Sequence, residues 1–336
     1  MILIDTVFIN NGGGKILMDY LFETIVAEKK KVTFLIDIRL KKEYENKSSE
    51  NINHIFIDGF SERNRYYQNT IEEFSTILCF GNFPPTKKFK STVYTYFHQM
   101  IFLKTPKEFS LKERLKFILK IQILRIFKKN SDYWIVQSEL IKVNFTKKFK
   151  IKPEKILKIP FYREFTQTED FQRIPNTFLY VSNASPHKNH LRLIDAFCRY
   201  YERFKKGQLT LTVSPEFSQV FQYIETKQKE GFPIINLGFV YRNDLYCHYR
   251  SSEYLIFPSL SESYGLGIVE AAENGCKVIG ANLPYMFEVC NPSLVFNPSD
   301  TTSIYNVLCD VELMTDVPQT VLKTSNQIKY LINLLV

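Results

Sequence analysis

The sequence predicts a two-domain α/β protein in which each half is an open, mostly parallel sheet with helices on both faces. Three observations predict it. The chain has 336 residues, which is enough for two domains of ordinary size, and 45% of them are hydrophobic. Short apolar runs rich in Val, Ile, Phe and Tyr alternate with polar stretches of helical pattern, as buried parallel strands do. The alternation occurs once in each half of the chain.

In the first half the strand candidates are ILIDTVFI (2–9), VTFLIDI (32–38), HIFI (54–57), TILCF (76–80), VYTYF (93–97) and YWIVQS (133–138), closed by KILKIP (155–160). In the second half they are TFLYVS (177–182), LTLTVS (209–214), IINLGFV (234–240), YLIFPS (254–259), KVIGA (277–281) and SLVFN (293–297). Helices fill the gaps, among them Lys188–Phe204 and Leu266–Asn274. The expected division is a domain over 1–163, a linker over 164–175 and a second domain over 176–336, whose last helix is able to pack back on the first. Two successive open sheets place a ligand crevice at the carboxyl ends of their strands, between the domains.

No run of about 18 apolar residues occurs, so no membrane-spanning helix is expected. Residues 1–10 carry Asp5 and no basic segment, and read as a first buried strand rather than a leader. Six cysteines form no C-x-x-C pair and lie in apolar or helical runs, as reduced core thiols do; a cytoplasmic setting is the expectation. The net charge of +9 is uneven: residues 1–163 hold 30 Lys/Arg and 17 Asp/Glu, a net of +13, and the remainder is −4. An anionic partner is therefore expected for the first half only.

The most informative segment is PSLSESYGLGIVEAAENGCKVIGA, 258–281. An apolar strand ends at Pro258, a turn with Gly265 and Gly267 follows, and a helix then carries Glu270 eight positions after Glu262. Glycines let the backbone approach a ligand, and the helix start offers unpaired amides to a diphosphate. A carboxylate on each side of the turn suits hydroxyl groups of a ribose or a sugar. The plain alternative is an ordinary strand–helix turn with surface carboxylates.

This segment resembles the E-x7-E signature of retaining glycosyltransferases of family 4, and GCKVIGA and LPYMFEV match that family's downstream pattern. The resemblance implies the GT-B fold, two Rossmann-like domains facing a cleft, with an acceptor-side first domain and a donor-binding second one. It implies that Glu270 binds the nucleotide ribose, that Glu262 contacts the donor sugar near the reacting carbon, and that the amides of Gly265, Leu266 and Gly267 face the diphosphate or sugar. FLYVSNASPHKNHLRLIDAF (178–197) is similar to the family's strand–loop–helix, in which Lys188 supplies positive charge to the leaving diphosphate. Family members often carry Arg where this chain has Asn183, and Gly where it has Ser182; Asn183 offers neutral hydrogen bonds only. His187 and His190 flank Lys188 at helical spacing, but no third ligand lies near them in sequence, so capping or surface histidines are the simpler reading and no metal is expected.

Elsewhere the resemblance assigns Gly13 and Gly14, after the first strand, to the vicinity of the donor phosphate, and His98, at the end of YTYFHQM (94–100), to the donor sugar. A tight turn and a satisfied core histidine are the bland alternatives. The three glycines 12–14 are not G-x-G-x-x-G, so a nicotinamide site is unsupported. LGFVYRNDL (237–245) makes Val240 and Arg242 candidates for lining the base. The implied reaction is transfer of a sugar, with retention, from a nucleoside diphosphate sugar to a glycan or lipid-linked glycan, as in bacterial surface polysaccharide assembly, with no further cofactor. A sugar-nucleotide epimerase of the same fold and a non-catalytic binding protein are the alternatives. Nucleic acid is not an expected partner, because the basic stretches lack a recognised binding motif. Residues 111–129, LKERLKFILKIQILRIFKK, mix aliphatic and basic residues around a helix. Such a helix either lies on an anionic membrane at the inner face or packs its apolar stripe on the sheet; the apolar residues are spread widely enough for both.

Overall fold

The computed structural model describes residues 1–47, 49–70, 74–104, 110–169 and 171–336. The chain divides into two compact units, Met1–Arg163 with Ser325–Val336, and Glu164–Thr324.

The first unit is built on a seven-stranded sheet. Strand β1 (Ile2–Asp5) leads into helix α1 (Gly12–Ala27), β2 (Val32–Asp37), the one-turn helix α2 (Lys41–Tyr44), β3 (Ile52–Ile57) and α3 (Gly59–Asn69). Then come β4 (Thr76–Cys79), β5 (Thr92–Tyr96), α4 (Leu111–Phe127), β6 (Tyr133–Val136), α5 (Glu139–Phe149) and β7 (Ile156–Lys158). All neighbours pair in parallel in the order β3-β2-β1-β4-β5-β6-β7. The central β1 and β4 are buried at every position. Helices cover both faces of such strands, so the pattern reads as a continuous apolar run rather than an alternation.

The second unit repeats the plan with six strands: β8 (Ile174–Tyr180), α6 (His190–Phe204), β9 (Gln208–Leu211), α7 (Ser218–Lys229), β10 (Ile234–Asn236), α8 (Leu245–Ser251), β11 (Ser252–Phe257), α9 (Leu266–Glu273), β12 (Lys277–Ala281) and α10 (Pro284–Val289). The two-residue β13 (Cys290–Asn291), then β14 (Leu294–Phe296), α11 (Thr301–Leu313) and the two-residue β15 (Val321–Leu322) complete it. The sheet order is β10-β9-β8-β11-β12-β14, again parallel, and β13 pairs with β15 as a separate antiparallel ribbon. The last helix, α12 (Ile328–Leu335), is part of the first unit. It buries Ile328, Leu331, Ile332 and Leu335, and its N-terminal residue contacts include Gln327 N to Pro160 O (2.9 Å).

The α/β class expected from the sequence is the class found, with each apolar run at its expected place. The strands are shorter than the runs, however. IINLGFV yields a strand only over Ile234–Asn236, because Asn236 turns its amide side chain onto Val213 and Gly238 takes a left-handed φ of +69°. ILIDTVFI stops at Asp5, whose carboxylate accepts from Val7 N, and Phe8 takes φ +82°. The helix expected from Lys188 begins at His190. Pro186–Lys188 forms a separate 3-10 turn, and Asn189 interrupts with φ +66°. Lys188 is thus a turn residue, not a helix residue. Asp170, within the expected linker, lies outside the described residues.

In both sheets the strand order reverses once, between β1 and β4 and between β8 and β11. Open parallel sheets offer ligands a place beyond the carboxyl ends of the strands at such a reversal.

Candidate active site

In the second unit the reversal point is where two sequence-predicted residues meet. Lys188 arrives on the loop after β8 and Glu262 on the loop after β11, and Lys188 Nζ lies 2.6 Å from Glu262 Oε1. Both side chains are mostly buried, 17% and 12% exposed. The two loops are sewn together by backbone. Leu260 N donates to His187 O (2.8 Å), and Asn189 Nδ2 donates to Pro258 O (3.1 Å) and Pro298 O (2.7 Å). The left-handed Asn189 is what aims its side chain back across the sheet end, and Asn tolerates that conformation. Tyr180 OH donates to Lys188 O (2.9 Å), which fixes the turn from below.

After Glu262 the chain turns at Gly265, which has φ +92° and caps α9. The left-handed φ is what favours glycine here; a Cβ would also come within 2.7 Å of Ile268 Cδ1 and push that side-chain tip aside. The helix that follows begins with Leu266 and Gly267, whose first-turn amides have no partner within the helix. Gly267 has room for a Cβ at ordinary contact distance, so its small size is not forced by packing. The turn expected between the two glutamates is present as backbone, a glycine-capped helix start that follows Glu262 in the chain.

Glu270 projects from α9 and is 5% exposed. Its Oε1 accepts from Arg242 Nε (2.8 Å) and its Oε2 from Tyr249 OH (3.1 Å). Burial pushes its carboxyl above the usual range, and the Arg242 guanidinium opposes that shift. Arg242 in turn lies over the Phe165 ring, 4.0 Å from its centroid. The two carboxylates of the predicted pair thus each have their own cation, Lys188 for Glu262 and Arg242 for Glu270. Sequence reasoning named Arg242 as a base-lining candidate and missed Tyr249 and Phe165. Neither carries a local signal, since Tyr249 reads as a helix residue and Phe165 lies 77 positions from Arg242 in a polar stretch.

Ser182 and Asn183 sit on the same loop as Lys188. Ser182 N donates to Thr212 Oγ1 (3.1 Å), and the Asn183 side-chain oxygen accepts from Ser185 N (3.3 Å), closing a turn. Val240 is half-buried between Phe239 and Tyr241, both strongly exposed.

His190 is buried, packs in a tilted arrangement on Tyr180 (4.7 Å between centroids) and is held down to about 3 by burial first, then by Lys188 and His187. It is a neutral core imidazole. Among the described residues no group of three or more His, Cys, Asp or Glu is placed to hold a metal.

In the first unit Gly13 is exposed in the first turn of α1, and Gly14 lies against His98: a Cβ on Gly14 would sit 3.3 Å from His98 Nε2. His98 follows β5, and its backbone N–H donates to Asn82 Oδ1 (2.9 Å). Its ring packs beside Phe80 and Tyr96, and burial holds it down to about 4, so it is neutral at physiological pH. The structure brings these two predicted residues together at the carboxyl ends of β1 and β5.

The architecture is shared with solved proteins. Sucrose-phosphate synthase from Thermosynechococcus elongatus superposes with a TM-score of 0.71 over 93% of this chain and 89% of that one, at 16% identity. HepE of Anabaena, solved with UDP and glucose, gives 0.65 over 91% and 88%, at 15% identity. The fold is GT-B. Residues 163–296 match the model of glycosyl transferases group 1. Among curated relatives, the O-antigen chain mannosyltransferase RfbU of Salmonella typhimurium is 26% identical over 220 residues, 63% of this chain and 58% of the relative. The chain therefore spans less than two thirds of that relative's length.

Proposed function

We propose that the protein transfers a sugar, with retention of anomeric configuration, from a nucleoside diphosphate sugar to a hydroxyl of a glycan or lipid-linked glycan in surface polysaccharide assembly. The observation that carries this reading is the meeting of Lys188 and Glu262 beside the glycine-capped start of α9, with Glu270 one helix turn further in. The diphosphate leaves as an anion, and Lys188 with the α9 amides supplies fixed positive charge where that anion develops. Glu262 lies beside that charge, where the sugar end of the donor falls. Glu270 receives the ribose diol. The family match over 163–296 and the O-antigen mannosyltransferase relative support the class of reaction, and the relative's name makes mannose the first donor sugar to try.

Calorimetry with UDP and GDP tests the donor site. Glu270→Ala removes the acceptor for a ribose diol, and hydrogen bonding to a charged group is worth roughly 1.5–3 kcal/mol, so affinity is expected to fall about 10- to 150-fold. Unchanged affinity removes Glu270 from the site. A protein that binds nucleotide but transfers no sugar to glycan or lipid-linked glycan acceptors is the non-catalytic binding protein of the alternative reading.

The same reading includes an anionic membrane surface as partner of the first unit, in the cytoplasm at the inner face. Helix α4 supports it. Ser110 and Glu113 form a reciprocal capping box that fixes its start. Ile121 and Leu124 are buried, with Phe117 packed beside them. Leu111 (80% exposed), Leu115, Ile118, Leu119 and Ile126 all face solvent. At about 3.6 residues per turn these five share one side, with Lys112 and Lys116 on one flank and Arg114 and Arg125 on the other. A helix with a second, exposed apolar stripe and basic flanks suits the interface of an anionic bilayer. Each basic residue near such a surface contributes about 1 kcal/mol and is screened by salt. Vesicles containing phosphatidylglycerol are expected to co-sediment the protein at low salt and release it near about 0.5 M, whereas neutral vesicles retain little. The triple variant Lys112→Glu, Lys116→Glu, Arg125→Glu is expected to lose sedimentation and keep nucleotide binding. Persistence of vesicle binding in that variant removes α4 from the contact.

A further inference from the structure

The geometry around Glu270 points to an additional element of the donor site: we propose that Arg242 is a positioning residue, clamped between Phe165 and Glu270, that holds the Glu270 carboxylate as the acceptor for a ribose diol. The inference rests on the donor-site reading above and adds to it the residue on which ribose recognition depends.

Three observations carry it. Arg242 Nε and Tyr249 OH approach different oxygens of the same carboxylate, at 2.8 and 3.1 Å, so the carboxylate can neither rotate nor swing without breaking one of them. A carboxylate has about four acceptor positions, and two remain for a diol. The guanidinium is itself fixed, with its Cζ 4.0 Å from the Phe165 centroid and its side chain only 12% exposed. Phe165 packs further against Tyr246 and Tyr249, so the stack is anchored to α8. The same α8 supplies Tyr249, and α9 supplies Glu270; the clamp joins the loop after β10 to both helices.

The charge matters as well as the shape. Burial raises the Glu270 carboxyl, and Arg242 is the largest influence that lowers it, followed by the hydroxyl of Tyr249. Removing Arg242 leaves burial less opposed, and the carboxyl takes up its proton at higher pH. A protonated acid accepts a diol poorly. Lysine restores charge but not the planar fork or the stack, because its ammonium is a compact point charge.

The test compares each ribonucleoside diphosphate, UDP and GDP, with its 2′-deoxy counterpart by calorimetry from pH 5 to pH 9. The ratio of the two affinities isolates the diol, because titration of the phosphates is common to both. In the wild type the ratio is expected to fall on acidification as Glu270 protonates. In Arg242→Gln that fall is expected to set in about 1–3 pH units higher, the range by which a neighbouring cation lowers a carboxyl, and Arg242→Lys is expected to return it part of the way. Tyr249→Phe, which removes only a hydroxyl, is expected to shift it in the same direction by less, and keeps the test open should Arg242→Gln fold poorly. The proposal is overturned if the ratio in Arg242→Gln follows the wild-type pH profile. It is equally overturned if ribo and deoxy ligands weaken together, which would make Arg242 a direct ligand of phosphate or base. If Glu270→Ala leaves the ratio unchanged, it is the ribose reading itself that fails.

Discussion

Replacing Lys188 with alanine is expected to lower turnover by about 100- to 1,000-fold, the scale of losing one fixed stabiliser of transition-state charge. The size of the effect follows from how the site is built. Lys188 sits in a 3-10 turn sewn to the end of β11 and faces Glu262 at 2.6 Å, so it enters the reaction already placed. Asn183 offers no second cation on that loop, and its side chain is occupied in closing its own turn. Lys188 therefore has no side-chain substitute on its loop. Its removal also leaves Glu262, 12% exposed, without its cation, which raises the effect further. Initial rates with mannose, glucose and galactose donors, under saturating nucleotide sugar, measure it. Nucleotide affinity is expected to fall far less, because the proposed donor site assigns the ribose end to Glu270 rather than to the lysine. Lys188→Arg is expected to recover part of the rate, and Asn183→Arg placed on the Lys188→Ala background to recover a smaller part. A Lys188→Ala enzyme at wild-type turnover sinks the proposed role of the lysine.

The second large effect is on stability, in the first unit. Arg63→Met is expected to destabilise that unit by about 3–5 kcal/mol, the range for stranding one partner of a buried ion pair. Asp5 and Arg63 are 1% and 2% exposed, and Arg63 Nε lies 2.6 Å from Asp5 Oδ2. Tyr67 OH bonds the same carboxylate oxygen, and Val7 N donates to the other. The guanidinium also donates to Phe83 O (2.8 Å) and Pro84 O (3.2 Å). The network thus ties the carboxyl end of β1 and its following loop to α3 and to the segment after β4. Without the cation, Asp5 is a buried charge with one hydroxyl and one amide for company. Urea unfolding followed by the fluorescence of the single Trp134, buried in this unit, reports the shift. The double variant Asp5→Leu, Arg63→Met is expected to lose less than the sum of its singles, since an apolar pair leaves no stranded charge. A loss below about 1 kcal/mol for Arg63→Met shows that water or another group replaces the pair.

Much of this molecule is legible in its letters, and for a physical reason. A strand buried on both faces is apolar at most positions, so VTFLID and KVIGA declare themselves without any partner being known. The turn at 258–267 declares itself similarly, because a left-handed cap requires Gly265 and the helix that follows must begin there. The strand ends were overrun wherever apolar residues continue past the last ladder bond, as at Leu237–Val240, since hydrophobicity alone does not say where pairing stops. The two-residue strands β13 and β15 left no trace, being too short for any periodic signal.

What the tertiary structure decided is which groups face each other. Lys188 and Glu262 are 74 positions apart, and Arg242 and Glu270 are 28 apart. Crossovers of a parallel sheet bring them together, and no local pattern encodes that. The sequence marked both glutamates but not the cation each would have, and it did not show that Phe165 would hold one of those cations still. For α4 it displayed aliphatic residues on all sides, and only packing chose Ile121 and Leu124 for the core and left Leu111, Leu115 and Ile126 outside. Local chemistry is written residue by residue; the pairing of charges depends on where the sheet returns the chain, and that is settled only when the whole fold closes.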